Sequence, residues 1–384
     1  MAVRPQILTT LRQIDPIPVK LEIRKASLNF LADDTTEADG FFQELLLSVL
    51  TNTSIQKLTI YLENLHDLNT LASKRLETLW PVLCRLPSLY EVEIDGRHDC
   101  MPAHVLIRFL GCDNVDCFLH VRKLTLKNVA FIQEYELLPS LIVHLPRLQS
   151  LEDFSWRRFA CVNMGREVRP LLLTIFALPR LKHIHLENLS RGVDHQELAP
   201  CINRLSSISS LQSLALLGFD FQEEISLSVA SLLRQSTSLR SLTLGSTLTP
   251  KAGRRIFFAL SENLTLEHLE IRCWSGWQRG HEASRAWRTL ALVLCYQNTT
   301  ISNIQVSFGS CNGRSSNPLS NHHWKKVKLY LEVNRKGLRR RPLSEDEGIF
   351  LPNMLATVAH SQSCLYQILR LNVHHLPNLK NPSN

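Results

Sequence analysis

The sequence predicts an α/β repeat protein, a solenoid in which short parallel strands alternate with helices. Two observations predict it. One is a recurring phrase: LPSLYEVEIDGRH at 86–98, LPRLQSLEDFSW at 145–156 and LPRLKHIHLENLS at 178–190. The other is a recurring apolar pair, found at Leu58/Ile60, Val92/Ile94, Leu124/Leu126, Leu151, Ile184/Leu186, Leu214/Leu216, Leu242/Leu244, Leu269/Ile271 and Ile304/Val306. With a weaker copy in VKLEI at 19–23, the intervals from Leu21 to Ile304 average about 31 residues, and a fixed period of 20 to 50 residues is the mark of a repeat architecture.

Each copy alternates apolar and polar residues for four or five positions, which is the period of a short half-buried strand. Between copies lie segments such as EVRPLLLTIFAL (167–178), EEISLSVASLLRQ (223–235) and EASRAWRTLALVL (282–294), whose apolar residues fall three and four apart as on a helix. The unit is strand, loop, helix. It cannot bury its apolar face alone, so neighbouring copies must stack, with strands in a parallel sheet and helices behind it. Leu244, Leu269 and Ile271 are predicted to be buried between the two layers.

The clearest copy, LTLGSTLTPKAGRRIFFALSENLTLEHLEI at 242–271, carries the pattern Leu-x-Leu followed by Leu248, Gly253, Ile256, Leu260, Asn263 and Leu269. It resembles the leucine-rich repeat of the ribonuclease-inhibitor type, and weaker copies extend the resemblance over residues 19–306. That implies a horseshoe with a concave parallel sheet and convex helices. The chain departs from the family in lacking a regular asparagine ladder after the strand: Asn128 and Asn188 sit one position early, and Thr247 stands in the usual place.

The repeats are expected to occupy 1–308 and a polar loop 309–321. Residues 322–384 then form a helical C-terminal cap that covers the apolar end of the last repeat. Within 322–342 the alternation of Val327, Leu329, Leu331 and Val333 would suit a strand. Arg335 and Lys336 before Gly337, with Pro342 beyond, instead mark a helix end, and a helix is the reading adopted. Together with CLYQILRLN at 364–372 it resembles the closing helical module of leucine-rich repeat proteins from single-celled algae.

At 44% hydrophobic and 20% charged, the chain has the composition of a folded globular protein. Residues 1–20 have three prolines where a secretory signal needs an apolar run, and no apolar stretch approaches the roughly 20 residues of a membrane span. A cytoplasmic protein is expected, without disulfides among its ten cysteines. Sequons at Asn52, Asn188, Asn263 and Asn298 then carry no glycan. The net charge of +8 is concentrated in one place, since residues 321–341 hold eight Lys and Arg against Glu332 alone, a net of +7. This suits a solvated capping helix with cations at its last turn. A nuclear-import signal is the competing reading, carried by Lys325-Lys326 and Arg339–Arg341.

His98, Cys100, His104, Cys112, Cys117 and His120 lie close in sequence, but they lack the paired short Cys spacings of a zinc site, and no metal is expected. No nucleophile elbow, Walker lysine or dinucleotide fingerprint occurs. No enzyme activity, cofactor or small-molecule substrate is expected. Function therefore rests on surfaces. Residues beside the inward leucines face the concave side, and the acidic Glu91/Glu93/Asp95 and basic Lys123/Lys127 rows are near enough to neutralise each other. That disfavours a nucleic-acid groove.

Two loops past the strand ends, SWRRF at 155–159 and CWSGWQRG at 273–280, hold the Trp and Arg typical of binding hot spots. The expected contact set for a protein partner is Trp156, Arg157, Arg158, His183, His185, Glu187, Thr243, Trp274 and Trp277. The sequence thus predicts an intracellular protein-binding scaffold. Two alternatives are a substrate-recognition subunit of a ubiquitin ligase and a GTPase-activating protein.

Overall fold

A computed structural model describes residues 19–23, 36–51, 55–61, 78–79, 81–83, 86–96, 120–128, 142–159, 165–188, 195–246, 248–273, 277, 280–308, 322–337, 355–356, 359 and 362–371. Ten strands form one sheet whose order follows the chain: β1 Val19–Ile23, β2 Ile55–Tyr61, β3 Glu91–Asp95, β4 Lys123–Lys127, β5 Asp153–Phe159, β6 His183–Asn188, β7 Ser213–Phe219, β8 Ser241–Ser246, β9 His268–Cys273 and β10 Asn303–Phe308. Pairing is parallel from β1 to β6 and from β8 to β10. The described helices are α1 Thr36–Thr51, α2 Gly165–Phe176, α3 His195–Leu205, α4 Glu223–Gln235, α5 Pro250–Ala259, α6 His281–Tyr296, α7 His322–Arg335 and α8 Gln362–Leu371. Sequential parallel strands alternating with helices are the leucine-rich repeat fold. The chain divides into two compact units, one of residues 1–204 with Ala215–Phe219 and one of Leu205–Leu214 with Asp220–Asn384.

In the first unit the inward pairs Leu58/Ile60, Val92/Ile94, Leu124/Leu126, Phe154/Trp156 and Ile184/Leu186 are all buried and stand in register across β2 to β6. The fifth strand therefore begins later than the sequence implied. Leu151 is buried, but it precedes the strand, and Phe154 and Trp156 fill the two leucine slots. Backbone amides confirm the offset, because Glu152 and Asp153 both donate to the Arg122 carbonyl (2.8 and 2.9 Å) just as Lys182 and His183 donate to that of Glu152 (2.7 and 2.9 Å).

In the second unit Leu244, Leu269 and Ile271 are buried as expected, and Val306 on β10 is only half-buried. An asparagine ladder does exist here, at the helix-to-strand turn rather than after the strand. Asn263 Nδ2 donates to the Leu233 carbonyl (2.7 Å), Asn298 Nδ2 to those of Leu260 and Asn263 (2.8 Å each), and Asn334 Nδ2 to those of Asn298 and Ile301 (3.1 and 3.0 Å). On the other side of each amide, Asn263 Oδ1 accepts from the Thr265 and Leu266 N–H groups, and Asn298 Oδ1 from those of Thr300 and Ile301. Asn263 and Asn298 thus each satisfy backbone groups of their own turn and of the preceding one, an arrangement in which an unmet partner is expensive. Both sequons at these positions are buried, at 1% and 0% exposure, so neither asparagine is open to a glycan in the folded chain.

Residues 322–335 are a helix, as the Gly337 signal indicated, and Gly337 ends it with φ of 67°. Trp324, Val327, Tyr330 and Val333 are buried, and Trp324 packs on Trp287 of α6 with ring centroids 5.0 Å apart. Asn334 takes the third rung of the ladder, so α7 docks where the helix of a further repeat would dock. The polar loop at 309–321 and Arg339–Arg341 lie outside the described residues.

Candidate functional site

On the sheet face opposite the buried pairs, β2 to β6 present three rows set by the registers. The first row reads Lys57, Glu91, Lys123, Asp153, His183, the second Thr59, Glu93, Thr125, Ser155, His185, and the third Tyr61, Asp95, Lys127, Arg157, Glu187. Opposite charges stand on neighbouring strands about 4.8 Å apart, and they pair. Lys57 Nζ lies 2.6 Å from Glu91 and 3.5 Å from Glu93, while Lys123 Nζ lies 3.3 Å from Glu91. Lys127 pairs with Glu93, and Asn128 Nδ2 donates to Asp95 at 2.7 Å. Asn128 itself adopts φ of 53°, and its N–H donates to the Arg157 carbonyl at the strand ends.

These contacts shift protonation. Burial alone would push the Glu91 and Glu93 carboxyls up, but hydrogen bonds and charge from Lys57, Lys123 and Lys127 outweigh it and hold both below the ordinary value of 4.5. Burial would likewise lower Lys57, yet its two carboxylate partners raise it above 10.5. For the glutamates the folded pKa is depressed, so their stabilisation is present above about 4.5 and is lost as pH falls through the folded values. For Lys57 the stabilisation is present below 10.5 and is lost as pH rises through its raised pKa. After solvent screening each pair is worth about 1 kcal/mol at most. Glu91→Gln should therefore lower stability near pH 7 by about 1 kcal/mol and flatten the decline below pH 4.5, which denaturation midpoints across pH would measure. An unchanged acid limb would contradict the pairing.

The structure sorts the expected contact residues. Arg157 is exposed on the open face, and its Nε donates to Ser155 Oγ at 3.0 Å. His183 is exposed, and Glu187 lies 3.8 Å from His185 Nε2, both half-buried on the same face. Thr243 is in the second unit, where its Oγ1 donates to Glu270 at 3.3 Å.

Two tryptophans are corrections. Trp156 is 1% exposed, because the later start of β5 turns it into the core in place of a leucine. Trp277 is also 1% exposed: its Nε1 donates to the Leu248 carbonyl, and its ring packs on Phe257 and Trp287 at 5.8 and 5.0 Å. Neither can be a rim anchor. The Arg158 side chain and Trp274 lie outside the described residues, as do His98, Cys100, His104, Cys112 and Cys117. Among the described residues no cluster suits a metal ion, Cys201 and Cys295 are buried thiols, and no helix is long and apolar enough to cross a membrane.

Asp153 belongs to the open face and was missed. Its signal was the EDFSW run, where Phe154 and Trp156 alternate with polar residues as strand positions do.

No family model and no curated protein matches the chain. Among solved structures, one described as leiomodin-1 actin-binding site 2 is 20% identical over 40% of this chain and 82% of that one, with a TM-score of 0.29. Another, described as a TLR13–ssRNA13 complex, is 14% identical over 71% of this chain and 35% of that one, with a TM-score of 0.34.

Proposed function

We propose that this protein is a protein-binding scaffold, with the open face of β2 to β6 as its contact surface and no chemistry of its own. The supporting observation is the cross-strand lattice of Lys57, Glu91, Glu93, Lys123 and Lys127. Paired charges on a sheet lose little side-chain freedom when a partner lands, and they demand a complementary pattern in return. Near neutrality along the rows favours a protein over a polyanion. We assign the repeats to the ribonuclease-inhibitor type on their strand–loop–helix unit, and α7 with α8 to a closing module of the kind seen in algal relatives of that fold. This reading places the protein in the cytoplasm.

Swapping the pair as Glu93→Lys with Lys127→Glu keeps an ion pair between β3 and β4 while inverting the local pattern. Capture of a native partner should fall at least tenfold with the folded circular-dichroism signal retained. Undiminished capture would move the contact surface elsewhere.

A further inference from the structure

Beside the open face, at the N-terminal ends of β3 to β6, lies a second feature that the charge lattice does not use. The registers bring two columns together there. One contains Ser88, His120, Ser150 and Arg180, each just before a buried Leu or Val, and the other contains Tyr90, Arg122, Glu152 and Lys182, each at the foot of its strand. The foot column is pinned by backbone bonds, since Arg122 and Lys123 donate to the Tyr90 carbonyl at 2.9 Å and the same double donation repeats at Arg122 and Glu152. Between the columns is an open cavity of about 470 Å³ lined by Ser88, Tyr90, His120, Arg122, Ser150 and Arg180, together with Pro87.

The charge there is unbalanced. Glu152 is the one carboxylate in the two columns, and it is engaged by Lys182 at 2.8 Å. That hydrogen bond, with further positive charge from Lys182, Arg122 and Arg180, holds its carboxyl below the usual range. Yet among the described residues neither Arg122 nor Arg180 has an ion-pair partner, and both are exposed. Both guanidiniums, which share with Lys182 the one Glu152 carboxylate, line a cavity that also offers an imidazole, the Ser150 hydroxyl and an exposed Tyr90 ring.

We propose that this cavity binds a phosphate monoester carried on a segment of a protein partner. A guanidinium presents a planar fork of N–H donors that matches oxyanion geometry, and two forks with further donors exceed what the two oxygens of a carboxylate can accept, whereas a phosphate has three. Pro87 and the half-exposed face of Tyr90 supply an apolar wall for residues flanking the phosphate. A nucleic-acid strand is the poorer fit, because a polyanion needs a continued basic track and the adjoining rows of the sheet are neutralised by Glu91, Glu93 and Asp153. The proposal rests on the scaffold reading and adds a modification-dependent contact to it.

The test is fluorescence anisotropy with the full chain and short peptides bearing a central phosphoserine, phosphothreonine or phosphotyrosine among degenerate flanks, each beside its unphosphorylated twin. At least one phosphorylated set should bind tenfold more tightly than its twin and be displaced by inorganic phosphate. Arg122→Ala and Arg180→Ala should each weaken it at least fivefold, Arg122→Lys less, and Arg254→Ala on α5 not at all. Equal binding of the twins, full binding by the Arg122→Ala/Arg180→Ala double variant, no binding of any peptide by folded protein, or tighter binding of a single-stranded RNA oligomer would each overturn the proposal. None of these outcomes touches the open-face reading, which the Glu93/Lys127 swap examines independently.

Discussion

Asn298→Ala should lower the unfolding free energy by about 3–5 kcal/mol, among the largest effects available to a single polar truncation in this chain. The side chain is fully buried and makes two donations of 2.8 Å to the Leu260 and Asn263 carbonyls. It also accepts from the Thr300 and Ile301 N–H groups at 3.0 Å each. Alanine removes these four bonds and a fifth, from the Thr300 hydroxyl at 3.1 Å, and leaves backbone groups of two successive turns without partners in a site closed to water. Each orphaned group costs about 1–3 kcal/mol, partly recovered by relaxation. Asn298→Asp is no remedy, since it keeps the acceptor, loses both donations and places a carboxylate against two carbonyls. Asn334→Ala should cost less, because at that rung only the donations to Asn298 and Ile301 are made, and Asn334 Oδ1 accepts nothing among the described residues. Denaturant midpoints at constant slope would rank the three, and a loss below about 1 kcal/mol for Asn298→Ala would show that the turns do not depend on the ladder.

Trp277→Ala should cost about 3–5 kcal/mol by opening a cavity between α5 and α6. The indole is 1% exposed, and it meets Phe257 and Trp287 while passing directly over Gly253. A methyl group at residue 253 would lie 2.2 and 2.4 Å from its ring atoms Cη2 and Cζ2, so glycine is required in the middle of α5 despite its poor helix propensity. Gly253→Ala alone should therefore be destabilising by about 1–3 kcal/mol through overpacking. In the Trp277→Ala background the same change should become neutral or stabilising by up to about 1 kcal/mol, since the clash is gone and alanine favours the helix. That reversal of sign is a coupling a double-mutant cycle reads directly, and additive losses would mean that the close approach is wrong.

What was legible in the sequence was whatever depends on local period. The strand pairs, the helices behind them and the helical state of 322–335 all follow from alternation, three-four spacing and a terminal glycine. The failures share a cause, which is that tertiary context reassigns a residue whose local pattern is ambiguous. At 145–156 two Leu-x-x-Leu frames overlap, Leu145/Leu148 and Leu148/Leu151, and only pairing with β4 and β6 selects the second, turning Trp156 inward. Trp277 follows a strand in a stretch rich in glycine and arginine, which reads as surface until Gly253 of the preceding helix is seen to make room for it. Asn263 stands in the repeat pattern, but its partner rung Asn298 reads only as a sequon, because the family's ladder is expected after the strand and here it runs at the other end of the repeat. The groove beneath β3 to β6 was hidden in the opening phrase itself. The residue between Pro and Leu in LPSL at 86–89 and LPRL at 178–181 becomes Ser88 and Arg180 of one column once the strands are in register.

The central claim is that partners meet the open face of β2 to β6, and residue-specific photo-crosslinking tests it most directly. A benzophenone amino acid in place of Arg157, exposed on that face, is compared with one in place of Gln43, exposed on α1 in the same unit. Irradiation in native lysate should give discrete protein adducts from residue 157 that the Glu93/Lys127 swap abolishes, and none of the same adducts from residue 43. Equal adducts from both positions, or adducts from residue 43 alone, would contradict the account.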